Sequence, residues 1–363
     1  MIRTIVIAAG GTGGHISPGI ALAETLIEKK DSFQYEKLII HSLLRNKDNP
    51  DLKESPCPVI WHNMPQPYKN FILFPFLLLY TLITTFIKFS RLKVDCVIAM
   101  GGYSCIPAIL YAILFKKKIF LCEQNRAIGK VTRIFMRRAN KVCFSFPPMN
   151  IPNNIKTEIK VCGNPLRKKI MPDQKSKANR AIPTNKKEKL NVLVMGGSQG
   201  ARQINNMVIN SMNNVEISKN FNFRLLTGTS LYEEAKAMSP KPVDIISYSQ
   251  DMKTHYEWAH LVIARAGAGV ISECAVYLLP MILIPYPYAA DNHQYENALY
   301  FNMESDTKVL NQRDENNSDL IDYLLNIQKD REKIVTLSSK LSKLARENAS
   351  LDTVNFFFGS EAK

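Results

Sequence analysis

Three glycine-rich turns recur along the chain, each between a short apolar, β-rich run and a helical pattern. The runs are Ile2–Ala8, Leu190–Met195 and Leu261–Ala264, and the turns after them read GGTGGH, GGSQGAR and RAGAGVISE. Glycines at such a turn let the backbone approach an anionic group, and the helix that follows directs N–H donors at it. The pattern therefore predicts α/β units that bind an anionic ligand.

Short apolar runs alternate with helical stretches along almost the whole sequence. Most runs are continuous rather than alternating, which predicts parallel strands buried on both faces and joined by helices. With 363 residues the chain is long enough for two such units. The remaining strand candidates are Leu38–Ser42, Val94–Met100, Lys118–Cys122, Lys141–Phe146, Phe223–Thr227, Val243–Ser247 and Met281–Ile284.

A stretch rich in Lys, Asn, Pro and Ser separates the two units. It covers Met171–Lys189, where Pro172 and Pro183 break regular structure. We therefore predict an N-terminal domain over residues 1–170, a linker over 171–189 and a C-terminal domain over 190–340. The apolar spacing in Ser318–Phe358 predicts two or three helices.

The net charge of +15 lies entirely in the first half of the chain. Residues 1–170 hold 25 lysines and arginines against 10 acidic residues, whereas residues 171–363 hold 22 of each. We therefore expect a polyanion or an anionic membrane surface to meet the N-terminal half, and no signature supports nucleic acid. Seven cysteines without a CxxC pair indicate a reducing compartment, and no export signal is visible.

His15 is the candidate catalytic residue of the first turn. A neutral imidazole beside a glycine backbone can take a proton from an attacking hydroxyl near neutral pH, and a capping histidine at a helix entrance is the alternative. A dinucleotide-binding turn is disfavoured for two reasons. Ile16 stands where the G-x-G-x-x-G motif has its third glycine, and no acidic residue follows at the end of the strand candidate Leu38–Ser42. A tight turn that binds no ligand also stays open.

The second and third turns carry side chains that suit a nucleoside diphosphate. Ser198 can donate its hydroxyl to a phosphate, and the mostly small residues Ala268–Ser272 open a helix N-terminus to a diphosphate. Glu273 can accept hydrogen bonds from a ribose diol, or it merely complements the helix dipole.

Three shorter polar motifs complete the set. EQN, which ends at Asn125, follows a strand candidate, and GNPLR, which ends at Arg167, precedes the linker. Polar residues just past a strand are where α/β proteins place chemistry, and an arginine there can grip a phosphate. The spacing D-x-x-Q-x-x-N, centred on Gln294, places three polar side chains on one helical face, for sugar hydroxyls or for solvent.

Neither a metal site nor a membrane-spanning helix is expected. The sequence has no Asp-x-Asp and no metal-ligand spacing, so helix N-termini and Arg167 would stabilise a leaving diphosphate. The uncharged stretch Phe71–Ile87 would span about 25 Å as a helix, short of a hydrocarbon core of ~30 Å. It either packs on the N-terminal sheet or, as we favour, also docks its outward face on an anionic leaflet, together with Lys88, Arg91, Lys93, Arg137, Arg138 and Lys141.

The ordered set of motifs resembles that of the MurG-type glycosyltransferases. GGTGGH, GGY, EQN, GNPLR, GGSQGAR, AGAGVISE and DNHQYENA follow one another in the family's order. These enzymes transfer N-acetylglucosamine from UDP-GlcNAc to the undecaprenyl-diphosphate-linked MurNAc-pentapeptide of bacterial peptidoglycan synthesis. The resemblance implies the GT-B fold, two facing Rossmann-like domains with a deep cleft between them, and a C-terminal helix, here within residues 341–363, that crosses back to the first domain.

The resemblance also assigns roles to individual residues. His15 would lie near the acceptor and the sugar, and Asn125 would contact the GlcNAc or the acceptor. On the donor, Glu273 would hold the ribose, the main chain around Ser249 would read the uracil, and Gln294 would bind the GlcNAc hydroxyls. The other implied donor contacts are Thr12, Gly13, Gly14, Arg167, Ser198, Ala268, Gly269, Val270, Ile271 and Ser272.

The chain departs from the family pattern at several positions. Ala266–Val270 lacks two hydroxyls that the family usually has near the diphosphate, His293 replaces a common glutamine, and Cys105 replaces a common serine. We expect these changes to affect individual donor contacts more than the activity.

The implied reaction is a single displacement that inverts the α-linked donor to a β-linked product, with no cofactor, on the cytoplasmic face of the bacterial inner membrane. Two other functions stay open. A UDP-GlcNAc 2-epimerase uses two similar domains, and a non-catalytic, membrane-attached nucleotide-sugar-binding subunit would bind UDP without transferring anything.

Overall fold

The computed structural model describes residues 2–65, 73–173, 182–183, 185, 187–197, 199–240, 243–312 and 318–359. The chain forms two compact units. Unit 1 comprises residues 1–168 and 348–363, and unit 2 comprises residues 169–347. The domain and linker bounds expected from composition stay predictions.

Unit 1 is a seven-stranded parallel sheet flanked by helices. The strands follow the order β3-β2-β1-β4-β5-β6-β7, so strand order reverses between β1 and β4. The strands are β1 Ile2–Ala8, β2 Tyr35–Leu43, β3 Val59–His62, β4 Val94–Ala99, β5 Lys118–Glu123, β6 Lys141–Phe144 and β7 Glu158–Val161. The helices are α1 Gly13–Glu28, α2 Lys30–Phe33, α3 Pro50–Lys53, α4 Phe74–Arg91, α5 Ile106–Leu114 and α6 Lys130–Phe135, with α15 Ala349–Phe358 from the end of the chain.

Alternate residues of β1 serve two separate cores in unit 1. Ile5 and Ile7 pack with α1 and α15 on one face of the sheet, and Val6 and Ala8 pack with α4 and α5 on the other. Gly19 of α1 permits the tightest approach, because a Cβ there would lie 2.7 Å from the Cβ of Ala9. Since both faces are covered, the strands read as continuous apolar runs.

Helix α15 belongs to unit 1 although it follows unit 2 in the sequence. Phe357 stacks on Phe120 of β5 with ring centroids 4.6 Å apart, and Lys141 Nζ donates to the Phe356 carbonyl at 2.8 Å. Buried aromatic stacking of this kind adds to the apolar area that the helix covers.

Unit 2 repeats the construction with six parallel strands. Their order is β10-β9-β8-β11-β12-β13, and strand order reverses between β8 and β11. The strands are β8 Leu190–Met195, β9 Phe221–Leu226, β10 Asp244–Ile246, β11 Leu261–Ala264, β12 Met281–Leu283 and β13 Lys308–Val309. The helices are α7 Arg202–Ser211, α8 Val215–Asn220, α9 Tyr232–Met238, α10 Met252–Trp258, α11 Ala268–Val276, α12 His293–Ser305, α13 Ser318–Lys329 and α14 Glu332–Leu341.

The ten predicted strands are all confirmed, with ends that differ by up to three residues. Three strands were not predicted, β3, β7 and β13, and all of them lie at sheet edges. Three helices occupy Ser318–Phe358, as expected. Of the uncharged segment Phe71–Ile87, Phe71 and Ile72 lie outside the described residues. Helix α4 begins at Phe74 and has Pro75 in its first turn. The missing N–H of proline costs nothing there, because the first N–H groups of a helix have no partner within the helix.

Candidate active site

In unit 1 the first glycine turn lies where the strand order reverses. It follows β1, and Gly101 and Gly102 follow the neighbouring strand β4, with φ of +93° and +72°. Both segments are at the carboxyl edge of the sheet, where open α/β sheets bind their ligands. Glycine is the residue that adopts such backbone angles without strain.

His15 lies between these two segments. Its Nδ1 is 3.4 Å from the hydroxyl of Thr12, and a Cβ built on Gly102 would lie 3.2 Å from its Cε1. The imidazole is half-buried in the first turn of α1. Thr12 is the N-cap residue but makes no side-chain cap, so its hydroxyl faces the histidine instead. Gly13 and Gly14 complete the turn, and the structure brings all four predicted residues together.

Asn125 is held at the same edge by a buried carboxylate. Glu123, at the end of β5, accepts from the N–H groups of Asn125 at 3.2 Å and Gly129 at 3.0 Å. Burial raises the pKa of the Glu123 carboxyl, while hydrogen bonds from Thr132, Asn125 and Gly129 act in the opposite direction. Glu123 therefore fixes the loop that presents Asn125.

Arg167 is separated from the glycine turn. Its guanidinium, 5% exposed, binds Glu24 at 3.0 Å and Asp51 at 2.5 Å. Glu24 lies nine residues after His15 on α1, or roughly 13 Å along the helix axis. Both carboxylates precede the arginine by more than a hundred residues, so no local pattern indicates this pairing.

In unit 2 the second glycine turn lies beside β11, again where strand order reverses. Gly200 has φ of +77°, and a Cβ there would lie 2.0 Å from the Thr227 carbonyl oxygen, so the turn closes tightly on the end of β9. Ser198, predicted as a phosphate ligand, lies outside the described residues.

The third turn opens α11, whose N-cap is Gly267. Ala268 is buried, and Gly269 and Val270 are half-buried at the start of the helix. The side chain of Ile271 is in the core and its N–H donates to the Gly267 carbonyl at 3.1 Å, so this residue offers a ligand nothing polar. The buried Ser272 hydroxyl has no hydrogen-bond partner in the part of the chain that the structure describes.

Glu273 is half-buried on the same helix. The hydroxyl of Tyr256, on α10, donates to its Oε2 at 2.6 Å. Ser249 lies in the loop before α10, where its Oγ accepts from the Asp251 N–H at 3.2 Å. The short helix α10 therefore connects the loop that we predict to bind uracil with Tyr256, whose hydroxyl contacts the predicted ribose ligand Glu273.

Gln294 and Asn297 differ in exposure although they share a motif. The Oε1 atom of Gln294 accepts from the Tyr286 N–H at 2.9 Å, at the start of α12. Asn297 is fully buried and donates to the Ala266 carbonyl at 3.1 Å. We expected this helical face to meet either sugar hydroxyls or solvent. Asn297 meets neither, because its hydrogen bond holds α12 against the turn after β11.

Two residues of the site, Glu123 and Tyr256, were not predicted as functional. Glu123 stood inside the EQN motif, and its position directly after a strand was the available signal. Tyr256 reads as a core aromatic in the sequence, and only its contact with Glu273 distinguishes it. Among the described residues, no group of three or more His, Cys, Asp or Glu is arranged to hold a metal ion.

Two Rossmann-type units, each with glycine turns where its strand order reverses, define a nucleotide-binding α/β protein. The models of the N-terminal and C-terminal domains of glycosyltransferase family 28 match residues 5–144 and 191–352. The chain therefore belongs to glycosyltransferase family 28.

Relatives that match nearly the full length of the chain support the same assignment. The chain is 53% identical to the UDP-N-acetylglucosamine–N-acetylmuramyl-(pentapeptide) pyrophosphoryl-undecaprenol N-acetylglucosamine transferase of Leptospira interrogans, over 98% of this chain and 99% of that one. The enzyme of the same description from Francisella philomiragia is 32% identical, over 96% and 95% of the two chains. The predicted resemblance to the MurG-type enzymes is confirmed.

Solved structures support the fold class. The Acinetobacter baumannii MurG structure matches with a TM-score of 0.76 at 24% identity, over 98% of this chain and 99% of that one. A UDP-N-acetylglucosamine 2-epimerase from Listeria monocytogenes matches with a TM-score of 0.71 at 14% identity, over 99% and 98%. At these identities the likeness shows the fold alone, and it confirms the predicted α/β class.

Proposed function

We propose that the chain transfers N-acetylglucosamine from UDP-GlcNAc to undecaprenyl-diphosphate-linked MurNAc-pentapeptide. The observation that carries this proposal is the 53% identity, over nearly the whole of both chains, to a transferase of that description. A binding subunit or an epimerase on the same fold would not require likeness to a transferase along the entire chain. The placement of Thr12, His15 and Asn125 at the carboxyl edge of the first sheet, and of the turn before Glu273 at the end of β11, supports it.

In this proposal unit 2 holds the donor. The first N–H groups of α11 bind the diphosphate, and the unpartnered hydroxyl of Ser272 offers a further donor beside them. Glu273 accepts from the ribose, and the main chain around Ser249 reads the uracil. Since Oε1 of Gln294 is engaged by Tyr286, its amide N–H groups are what it offers to the sugar.

Unit 1 provides the base. The acceptor hydroxyl attacks the anomeric carbon, the imidazole of His15 takes its proton, and the bond to UDP breaks in the same displacement, which inverts the anomeric configuration. Thr12 and the backbone of Gly102 limit the orientations of the ring. Arg167 would reach a diphosphate only by exchanging Glu24 and Asp51 for phosphate oxygens.

Helix α4 supports a peripheral membrane attachment through unit 1. A surface helix normally buries its apolar stripe, but here the buried residues of α4 are Thr81, Thr85 and Phe89, while Phe76 is 68% and Tyr80 64% exposed. A continuous exposed apolar face of this kind is a docking surface. Its other exposed members are Leu73, Leu77, Leu79, Ile83 and Ile87.

Basic residues border this face. Lys88 and Arg91 lie in the last turn of α4. A further exposed apolar side chain, Ile134 of α6, lies on the same side of the sheet. Apolar insertion together with cationic flanks is how peripheral proteins bind anionic leaflets. No helix in the described part of the chain is long and apolar enough to cross a bilayer. We place the enzyme at the cytoplasmic face of the inner membrane, where a nucleotide sugar and a lipid-linked acceptor meet.

Acceptor-dependent UDP release tests the proposal. The chain is incubated with UDP-GlcNAc, with and without a short-chain analogue of the lipid-linked muramyl pentapeptide. A transferase releases UDP only with the acceptor, an epimerase acts without the acceptor, and a binding subunit releases none. His15→Ala should lower kcat by about 10²-fold or more with little change in UDP affinity, and near-normal turnover would reject His15 as the base.

A further inference from the structure

Tyr256 is a buried side chain that the proposed mechanism does not use directly. It is fully buried on α10, its ring lies 5.1 Å from that of Tyr277, and its hydroxyl donates to Glu273 Oε2 at 2.6 Å. A phenol in an apolar interior is costly unless its hydroxyl is paired. The carboxylate of Glu273 is the partner that the structure provides.

This hydrogen bond is of the strong, charge-assisted kind. Burial raises the pKa of Tyr256 well above its ordinary value, and the charge of Glu273 acts in the same direction. The phenol therefore stays protonated across the working pH range and remains a donor to the carboxylate.

The bond fixes one oxygen of the Glu273 carboxylate. Glu273 is half-buried, and each hydrogen bond to its carboxylate narrows the rotamers that this long side chain samples. With Oε2 bound by the rigid phenol, the carboxylate lies over the first turn of α11, where Oε1 is 3.8 Å from a Cβ built on Gly269. A fixed acceptor binds a diol more tightly than a mobile one, because the ordering cost has already been met.

We propose that Tyr256 is a positioning residue that makes this site select ribonucleoside over 2′-deoxyribonucleoside diphosphates, by holding Glu273 for the ribose diol. The inference rests on the proposed function, in which Glu273 binds the ribose. It also links two parts of donor recognition, since α10 begins next to the uracil loop at Ser249 and carries Tyr256 toward its end.

The test compares Kd for UDP and 2′-deoxy-UDP by calorimetry on the full chain. Sites built to bind a hydroxyl reject the analogue that lacks it, so the wild type should prefer UDP by tenfold or more. Tyr256→Phe should reduce that preference about threefold or more. In a Glu273→Ala background the same substitution should have no further effect on the preference.

The matched control is Tyr277→Phe, which removes a buried hydroxyl bound to the Ile170 carbonyl at 2.7 Å and should leave the preference unchanged. Should Tyr256→Phe fold poorly, Glu273→Asp keeps the buried ring and withdraws the carboxylate by one methylene, and the same fall is expected. An unchanged preference in the variant measured overturns the inference. Absence of UDP binding by the wild type would instead contradict the proposed function.

Discussion

The imidazole of His15 lies against the backbone of Gly101, where a Cβ would be 3.3 Å from its Nε2 atom. The two residues come from different strand ends, β1 and β4, which pair side by side in the sheet. A glycine at position 101 therefore meets two requirements. It adopts the left-handed backbone conformation, and it leaves room for the histidine ring.

Gly101→Ala should lower kcat by more than backbone strain alone explains, because the new methyl group displaces His15. Gly11→Ala is the matched variant: its φ is +96°, and nothing lies within 4 Å of its Cβ position. Both substitutions should destabilise the fold by about 1–2 kcal/mol. Steady-state kinetics should show a loss of kcat at least tenfold larger for Gly101→Ala, and equal losses would mean that the contact with His15 is unimportant.

Arg167→Ala should destabilise unit 1, since it leaves Glu24 and Asp51 without their cation. We expect a loss of about 2–3 kcal/mol, reduced from the value for a fully buried pair because both carboxylates are partly exposed. Urea unfolding followed by Trp61 fluorescence in a Trp258→Phe background reports on unit 1, because the chain has two tryptophans, one in each unit.

The control for this prediction is the neighbouring ion pair between Lys168 and Glu28, in which both side chains are at least half exposed. Lys168→Ala should leave the midpoint nearly unchanged, as is usual for a surface pair. A stable Arg167→Ala variant would show that the cluster adds nothing to folding.

The stability of unit 1 should fall as the pH drops below 6.5. His41 and His62 stack at 4.0 Å between ring centroids, and burial lowers the pKa of His62 to about 4. A histidine with a lowered folded-state pKa binds its proton more readily when unfolded, so its stability contribution is complete above pH 6.5 and is lost progressively towards pH 4.

At pH 5 the loss from His62 should be about 2 kcal/mol relative to pH 7.5. His62→Phe keeps a ring against His41 and should remove that part of the slope. Urea midpoints measured at both pH values test this expectation, which is contradicted if variant and wild type lose the same stability.

Vesicle binding should depend on the apolar face of α4. Phe76→Ser with Tyr80→Ser should weaken partition into vesicles containing anionic lipid by about tenfold or more, because two large exposed side chains no longer insert. Val215→Ser is the control, since Val215 is 74% exposed on unit 2. Binding that is insensitive to the α4 substitutions, or equally strong on neutral vesicles, would contradict the proposed attachment.

The central strands of both sheets could be predicted from sequence because burial on both faces leaves continuous apolar runs. Three of the four edge strands could not, and β10 is the exception. Strand β7 reads Glu-Ile-Lys-Val and is largely exposed, β3 follows prolines at 56 and 58, and β13 has two residues. Such strands form because they pair with one neighbouring strand, and their own composition carries little signal of strand structure.

The glycine turns and most polar candidates could be predicted because their positions follow from local sequence, a strand followed by a helix. The partners of those candidates depend on long-range contacts. Arg167 engages Glu24 from 143 positions earlier, and Tyr256 engages Glu273 from a different helix. Helical spacing placed Asn297 on a polar face, but the packing of α12 buries it.

The identity of the product tests the central claim most directly. After incubation with UDP-GlcNAc and the lipid-linked muramyl pentapeptide analogue, mass spectrometry and the anomeric proton coupling of the purified lipid are recorded. We predict an acceptor heavier by one N-acetylhexosamine in β linkage, with UDP in equal amount. An unmodified acceptor beside intact or epimerised sugar nucleotide would contradict the account.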